Sequence, residues 1–130
     1  MRTALLDANI FISAWLTDIV LSMDEAGLIE AHWSRGILVE ARRALERMGR
    51  PPHLLDPHFD CLSALTGREV TVTRMDALPE LPDRDDGHVL AAAVAAGATH
   101  IITYNLFDFP TRTLAPLGIT AVHPDAFLSL

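Results

Sequence analysis

Apolar residues along this chain follow two rhythms, and their alternation predicts the elements of the fold. Short aliphatic or β-branched runs bounded by turn residues read as strands over residues 1–6, 70–73, 100–103 and 119–122. Between them, apolar positions recur at three- and four-residue spacing, which predicts helices. Residues 10–17 and 19–26 read as a helical hairpin broken near Asp18. Ser34 is placed to cap a helix over 35–48, ended by Gly49 and the Pro51-Pro52 pair. Pro57 opens the next helix, running through residue 65 with Gly67 as its stop. Residues 79–82 form a loop, Asp83 caps a helix running to residue 96 and closed by Gly97, and Pro124 opens a short last helix. Strands alternating with helices imply a largely parallel α/β sheet covered on both faces. Ligands of such sheets bind beyond the carboxyl ends of the strands. Asp7 stands at one such end, and Asn105 and Asp108 follow another.

Three acids break the apolar pattern. Asp7 closes the first apolar run, Glu40 interrupts the apolar side of its helix, and Asp86 shares a helix face with Leu90, Ala93 and Gly97. An acid on a face that packs inward costs several kcal/mol unless it is paired, protonated or bound to a cation. Each also has a plain structural reading. Asp7 suits a turn or an N-cap. Glu40, three residues from Ile37 and four from Ala44, suits a boundary pair with Arg43 or Arg47. The run Asp83-Arg84-Asp85-Asp86 suits a helix start, where acids favour the dipole. Three acids there exceed what capping needs, so Asp83 and Asp85 are assigned to capping or support and Asp86 to the interior. Together Asp7, Glu40 and Asp86 suggest convergence on a metal ion.

Composition narrows the chemistry. The chain has 130 residues, half of them apolar, which suits one domain able to bury roughly two-thirds of its unfolded surface. No apolar run approaches the ~20 residues of a membrane span, and the N-terminus lacks a signal-peptide pattern, so a soluble, cytoplasmic protein is expected. Cys61 stands alone, which excludes a disulfide framework and a thiolate zinc site and predicts a buried, inert thiol. The net charge of −7 argues against a broad basic grip on nucleic acid. All ten basic residues are arginine; the lack of lysine excludes P-loop and Schiff-base chemistry. The six histidines form no metal-binding spacing; His88 stands near the acids, where it could contact substrate, but a surface or capping role is the plainer expectation. Trp15 and Trp33 are expected in the core or at a partner interface.

Four segments in order resemble a known family. Leu-Leu-Asp7-Ala-Asn9-Ile-Phe-Ile-Ser13, then Ile-Leu-Val-Glu40, then Asp83-Arg-Asp85-Asp86-Gly-His-Val-Leu, then Ile-Ile-Thr103-Tyr-Asn105-Leu-Phe-Asp108 are similar to the motifs of PIN domains, as is the closing Gly-Ile-Thr-Ala-Val-His-Pro-Asp-Ala-Phe. The resemblance implies an α/β/α sandwich around a central, mostly parallel sheet. It also implies a metal-dependent ribonuclease, with compact members often being VapC-type toxins held inactive by an antitoxin. The family's first acid falls on Asp7, its helix glutamate on Glu40 and its third acid on Asp86. The fourth acid position carries Asn105, with Asp108 nearby as a substitute. Asn9 and Ser13 would support the first acid, with Thr103 beside the fourth position. Oxygen ligands suit one or two Mg²⁺ or Mn²⁺ ions. Arg35, Arg42 and Arg43 would flank the cleft and touch RNA phosphates. The implied partners are RNA, an antitoxin protein and a second copy in a homodimer, with no membrane.

Three other readings compete. A non-catalytic PIN scaffold binding RNA or protein is favoured by Asn105. A phosphoryl-transfer module also gathers aspartates at strand ends but usually needs a lysine. A metal-dependent phosphodiesterase acting on DNA or nucleotides differs in substrate.

Overall fold

The computed structural model describes residues 2–72 and 78–129. Five parallel strands form one sheet in the order β3-β2-β1-β4-β5. They are β1 (Arg2–Leu6), β2 (Ile29–Ser34), β3 (Glu69–Val70), β4 (His100–Ile102) and β5 (Thr120–Val122). Met1 and Thr73, expected at strand ends, lie outside the described residues. β1 is central, with Leu5 in register with His32 of β2 and Ile101 of β4. The chain runs outward from β1 to β2 and β3, then returns to β4 and β5 on the other side. Right-handed crossovers therefore carry α1 (Ala14–Glu25), α2 (Arg35–Arg47) and α3 (Pro52–Ser63) over one face, and α4 (Gly87–Ala96) and α5 (Thr111–Leu114) over the other. A last helix, α6 (Pro124–Leu128), opens on Pro124 as its sequence predicts. Leu5, Leu6, Ile37, Leu90, Ile101 and Ile102 are fully buried between the layers. This is the α/β/α sandwich implied by the resemblance. Among the described residues no helix is long and apolar enough to cross a membrane.

Several local expectations change. In place of a hairpin broken at Asp18, residues 8–10 make a single 3-10 turn and α1 runs unbroken through Asp18. Ser13 caps that helix by accepting from the Leu16 amide, and Asp18 is exposed, so its charge costs the helix little. β2 has no counterpart in the sequence reading because Glu30 and His32 interrupt its apolar pattern. Both polar residues are accommodated at Arg68: the Glu30 carboxylate lies 3.4 Å from His32 and 3.8 Å from Arg68. α3 begins at Pro52 and carries Pro57 inside it. That earlier start turns Leu55, Phe59 and Leu62 inward at i, i+4 and i+7, and leaves Cys61 exposed rather than buried. Met48, the last residue of the expected helix, is the exposed C-cap of α2, and Leu38 is buried within it. Trp33 lies in the core edge-on to Phe11, whereas Trp15 is 70% exposed.

Candidate functional site

Strands are added outward from β1 on one side and then, from β4, on the other; the gap between β1 and β4 is therefore the topological switch point, where doubly wound sheets leave a crevice beyond their strand ends. Asp7 directly follows β1 and Thr103 directly follows β4. Their side chains join across the gap: the Thr103 hydroxyl donates to Asp7 Oδ2 at 2.8 Å. The Ala8 amide donates to Asp7 Oδ1 at 2.7 Å, and the Asn9 amide reaches Asp7 Oδ2 and Thr103 Oγ1 at 3.5 and 3.4 Å. Asp7 thus caps the 3-10 turn, as its plain reading requires, and also faces the crevice. Burial outweighs these hydrogen bonds and raises its pKa above the ordinary carboxylate value. Thr103 also accepts the Asn105 amide at 3.0 Å, which ties the loop after β4 to the same carboxylate.

Asp86 comes from the opposite layer. Asp83 accepts the Asp85 amide at 2.9 Å and so caps the 3-10 turn at residues 84–86, leaving Asp86 to head α4. Asp85 is exposed. Asp86 Oδ2 is shielded from solvent and, among the described residues, has no hydrogen-bond partner. Burial, reinforced by the charges of Asp7, Asp108, Asp83 and Glu40, raises the Asp86 carboxyl to about 7. Of the two residues offered for the fourth acid position, Asp108 is the one whose charge reaches Asp86. Asn105 is exposed and adds no charge.

Glu40 enters from α2, where Ser34 caps the helix through the Ile37 amide at 3.2 Å. Its partner is His88, not the expected Arg43 or Arg47: His88 Nε2 lies 3.6 Å from Glu40 Oε1. Neighbouring carboxylates, Glu40 foremost, raise the His88 pKa above its ordinary value. His88 Nδ1 is buried without a partner, and a Cβ at Gly36 would stand 3.3 Å from it. Glycine at 36 therefore lets the imidazole settle against the start of α2. The surface or capping role expected for His88 does not hold. The sequence signal for its position was its place two residues beyond Asp86, in the first turn of the same helix.

Asp7, Glu40 and Asp86 are thus gathered into one another's fields at the switch point. No group of three acid, histidine or cysteine side chains among the described residues is arranged to hold a metal ion as it stands. The expected convergence is one of neighbourhood, not of finished coordination. Like charges oppose closer approach, and Glu40 is engaged by His88. The donor set nevertheless fits a hard divalent cation in chemistry: the acids offer oxygen alone, two have raised pKa values, and one buried oxygen lacks a partner. Among the remaining residues, Ser13 serves α1 and not Asp7. Arg42 turns away from the crevice, pairing with Asp56 and lying 5.9 Å over the Phe59 ring. Arg35 and Arg43 line a groove of about 810 Å³ that Glu40 and His88 also border. Phe107, beside Asp108, is 86% exposed.

Comparison with known proteins agrees with this fold. A Mycobacterium tuberculosis protein named "Putative ribonuclease VapC50" is 56% identical over 43 residues, a third of this chain and a quarter of that protein. The chain therefore aligns with well under half the length of that relative. No solved structure matches the chain. The family model described as PIN domain matches residues 3–106, from β1 through β4 and the loop that carries Asn105. With that match covering most of its length, the chain belongs to the PIN-domain family.

Proposed function

We propose that this protein is a metal-dependent endoribonuclease that hydrolyses RNA phosphodiester bonds to 5′-phosphate and 3′-hydroxyl ends. The observation that carries the reading is Asp86 Oδ2, a buried oxygen without a partner, facing other acids at the sheet's switch point. An unsatisfied buried acceptor costs roughly 1–3 kcal/mol, and a set of acids sharing one crevice is stable in its charged form only with a cation nearby. Asp7, Glu40 and Asp86 are the residues proposed to hold Mg²⁺ or Mn²⁺, with Asp108 the candidate fourth acid. When bound, such an ion supplies Lewis-acid stabilisation of charge on the scissile phosphate and makes water a better nucleophile.

The chain's own residues supply position and field. Thr103 and the Ala8 amide fix the Asp7 carboxylate in one orientation. Asn9 braces Asp7 and Thr103, and its side-chain oxygen accepts the Tyr104 amide at 3.4 Å. His88 holds Glu40 at the crevice wall, and Asp108 strengthens the negative field at Asp86. The name of the mycobacterial relative supports ribonuclease as the activity and a VapC-type toxin as the biological role. With that role come the further proposals of an antitoxin partner, a homodimer and a cytoplasmic location. A binding scaffold is the second reading, favoured by the uncharged Asn105 at the family's fourth acid position.

Cleavage of structured and single-stranded RNA by the purified chain, with Mg²⁺, Mn²⁺ or EDTA and beside Asp86→Asn, tests the proposal. Metal-dependent cutting lost in the variant is the expected result. Folded protein that cuts no RNA with either metal establishes the scaffold reading instead.

A further inference from the structure

Beside the acids, α2 and the sheet edge enclose a groove of about 810 Å³. Its helix wall is a single stripe. Glu40, Arg43 and Arg47 follow one another at i, i+3 and i+7, so they share one face of α2. At 1.5 Å per residue, Arg43 and Arg47 stand about 4.5 and 10.5 Å along the axis from Glu40. Their separation of about 6 Å corresponds to roughly two steps of a stacked nucleic-acid strand rising 3.4 Å per nucleotide. The opposite wall is Glu69, Val70, Thr71 and Val72, at and just beyond β3, the outermost strand of the sheet. That wall offers the Val70 and Val72 side chains, the Thr71 hydroxyl and the Glu69 carboxylate, which Arg35 faces.

The charges in the groove divide unequally. Arg35 lies 3.7 Å from Glu69, and Glu40 lies 3.6 Å from His88. Among the described residues, neither Arg43 nor Arg47 lies within ion-pair distance of a carboxylate. A chain carrying net charge −7 thus places two guanidinium groups, uncompensated among the described residues, in a line leading away from its acid cluster. Arginine's planar fork suits phosphate oxygens. The groove has the bulk of a drug-sized ligand site, which admits a short stretch of one strand and not a duplex.

We propose that this groove binds the phosphodiester backbone of an unpaired RNA strand, with Arg43 and Arg47 each taking a phosphate on one side of the scissile bond. The inference rests on the ribonuclease reading above and adds to it the residues that hold the strand and the direction in which it leaves the acids. Arg47 enters here through the fold: it replaces Arg42, whose side chain is occupied by Asp56 and Phe59.

The test is fluorescence anisotropy of a labelled twelve-nucleotide oligouridine on the full chain carrying Asp86→Asn, so that binding is read apart from cutting. Arg43→Ala and Arg47→Ala are added singly and together, with the exposed Arg112 on α5 changed to alanine as control. Each groove change is expected to weaken binding about tenfold and to lower the slope of log K against log salt by about 0.7, the value for one phosphate contact on a single strand. Arg112→Ala should leave both unchanged, and a hairpin RNA of equal length should bind more weakly. Thermal melts show whether each variant is folded. Should one fail, the salt slope of the remaining single variant still decides.

Affinity and slope unmoved by the folded groove variants would overturn the proposal, as would arginine-dependent binding of an oligoglutamate peptide but not of RNA. The two readings fail separately. RNA cut by the unmutated chain, with groove variants binding normally, sinks the groove and leaves the nuclease. Arginine-dependent RNA binding without cutting under either metal sinks the nuclease and leaves the groove.

Discussion

Asp24 and Asp86 are both acids drawn partly out of water, and the fold treats them in opposite ways. Asp24, near the end of α1, accepts Arg68 Nη2 at 2.6 Å on one oxygen and the Ala31 amide at 2.7 Å on the other. Every oxygen has a donor, and the pair ties α1 to β2 and to the residue preceding β3. Asp86 has a shielded oxygen with no donor and neighbours that are also acids. The first arrangement holds the fold together. The second is strain that only a proton or a cation relieves, and it sits where the topology opens a crevice. Burial alone does not distinguish a structural acid from a functional one; the presence or absence of a partner does.

The largest expected effect separates the two by activity. Asp86→Asn should reduce RNA cleavage about a thousandfold, since several kcal/mol of transition-state stabilisation pass through the acid cluster. Asp24→Asn should leave the rate of the folded fraction within a few-fold of the unmutated chain. Initial rates on a fluorogenic RNA measure both. Comparable losses in the two variants would erase the distinction.

Stability should rank them the other way. Removing Arg68 leaves Asp24 largely buried without its cation, and we expect Arg68→Ala to cost about 2–3 kcal/mol in urea denaturation, somewhat below the loss for breaking a fully buried pair because Arg68 is partly exposed. Asp86→Asn should be neutral or stabilising in the absence of metal.

The pH dependence sharpens the contrast. With its carboxyl raised from 3.8 to about 7, folded Asp86 retains a proton that the unfolded chain releases. The folded state is therefore favoured at low pH, and this advantage is lost as pH rises between about 4 and 7. His88, also raised, acts with the same sign: its stabilisation is complete below its unfolded pKa and is lost as pH passes its folded value. In metal-free buffer the melting temperature should fall across this window more steeply than in Asp86→Asn, and His88→Gln should flatten a separate part of the curve. Parallel curves for all three proteins would contradict the assignment.

The smallest effect belongs to an ion pair that is neither buried nor near the acids. Arg42→Ala should leave the urea denaturation midpoint nearly unmoved, as expected for an exposed pair, and should leave RNA affinity unchanged.

What the residue pattern revealed, and what it hid, follows from the same physics. Helices α2 and α4 were legible because Ser34, Asp83 and Gly97 mark their ends and their inner faces are apolar. The acids at 7, 40 and 86 stood out because they interrupt such faces. β2 was hidden because Glu30 and His32 make it look unlike a buried central strand, and the cation that accommodates them lies 36 residues beyond His32 at Arg68. Separation in sequence likewise concealed the Glu40–His88 pair and the engagement of Arg42 by Asp56. Each depends on which side chain meets a residue from another element, which local spacing does not encode.

The most direct measurement is the melting temperature at pH 8 as Mn²⁺ is titrated into the unmutated chain, Asp24→Asn and Asp86→Asn. A cation that relieves the Asp86 site should raise the melting temperature of the first two by similar amounts and leave Asp86→Asn nearly unmoved. Equal stabilisation of all three, or of none, would contradict the claim that Asp86 lacks a partner because a cation is meant to supply one.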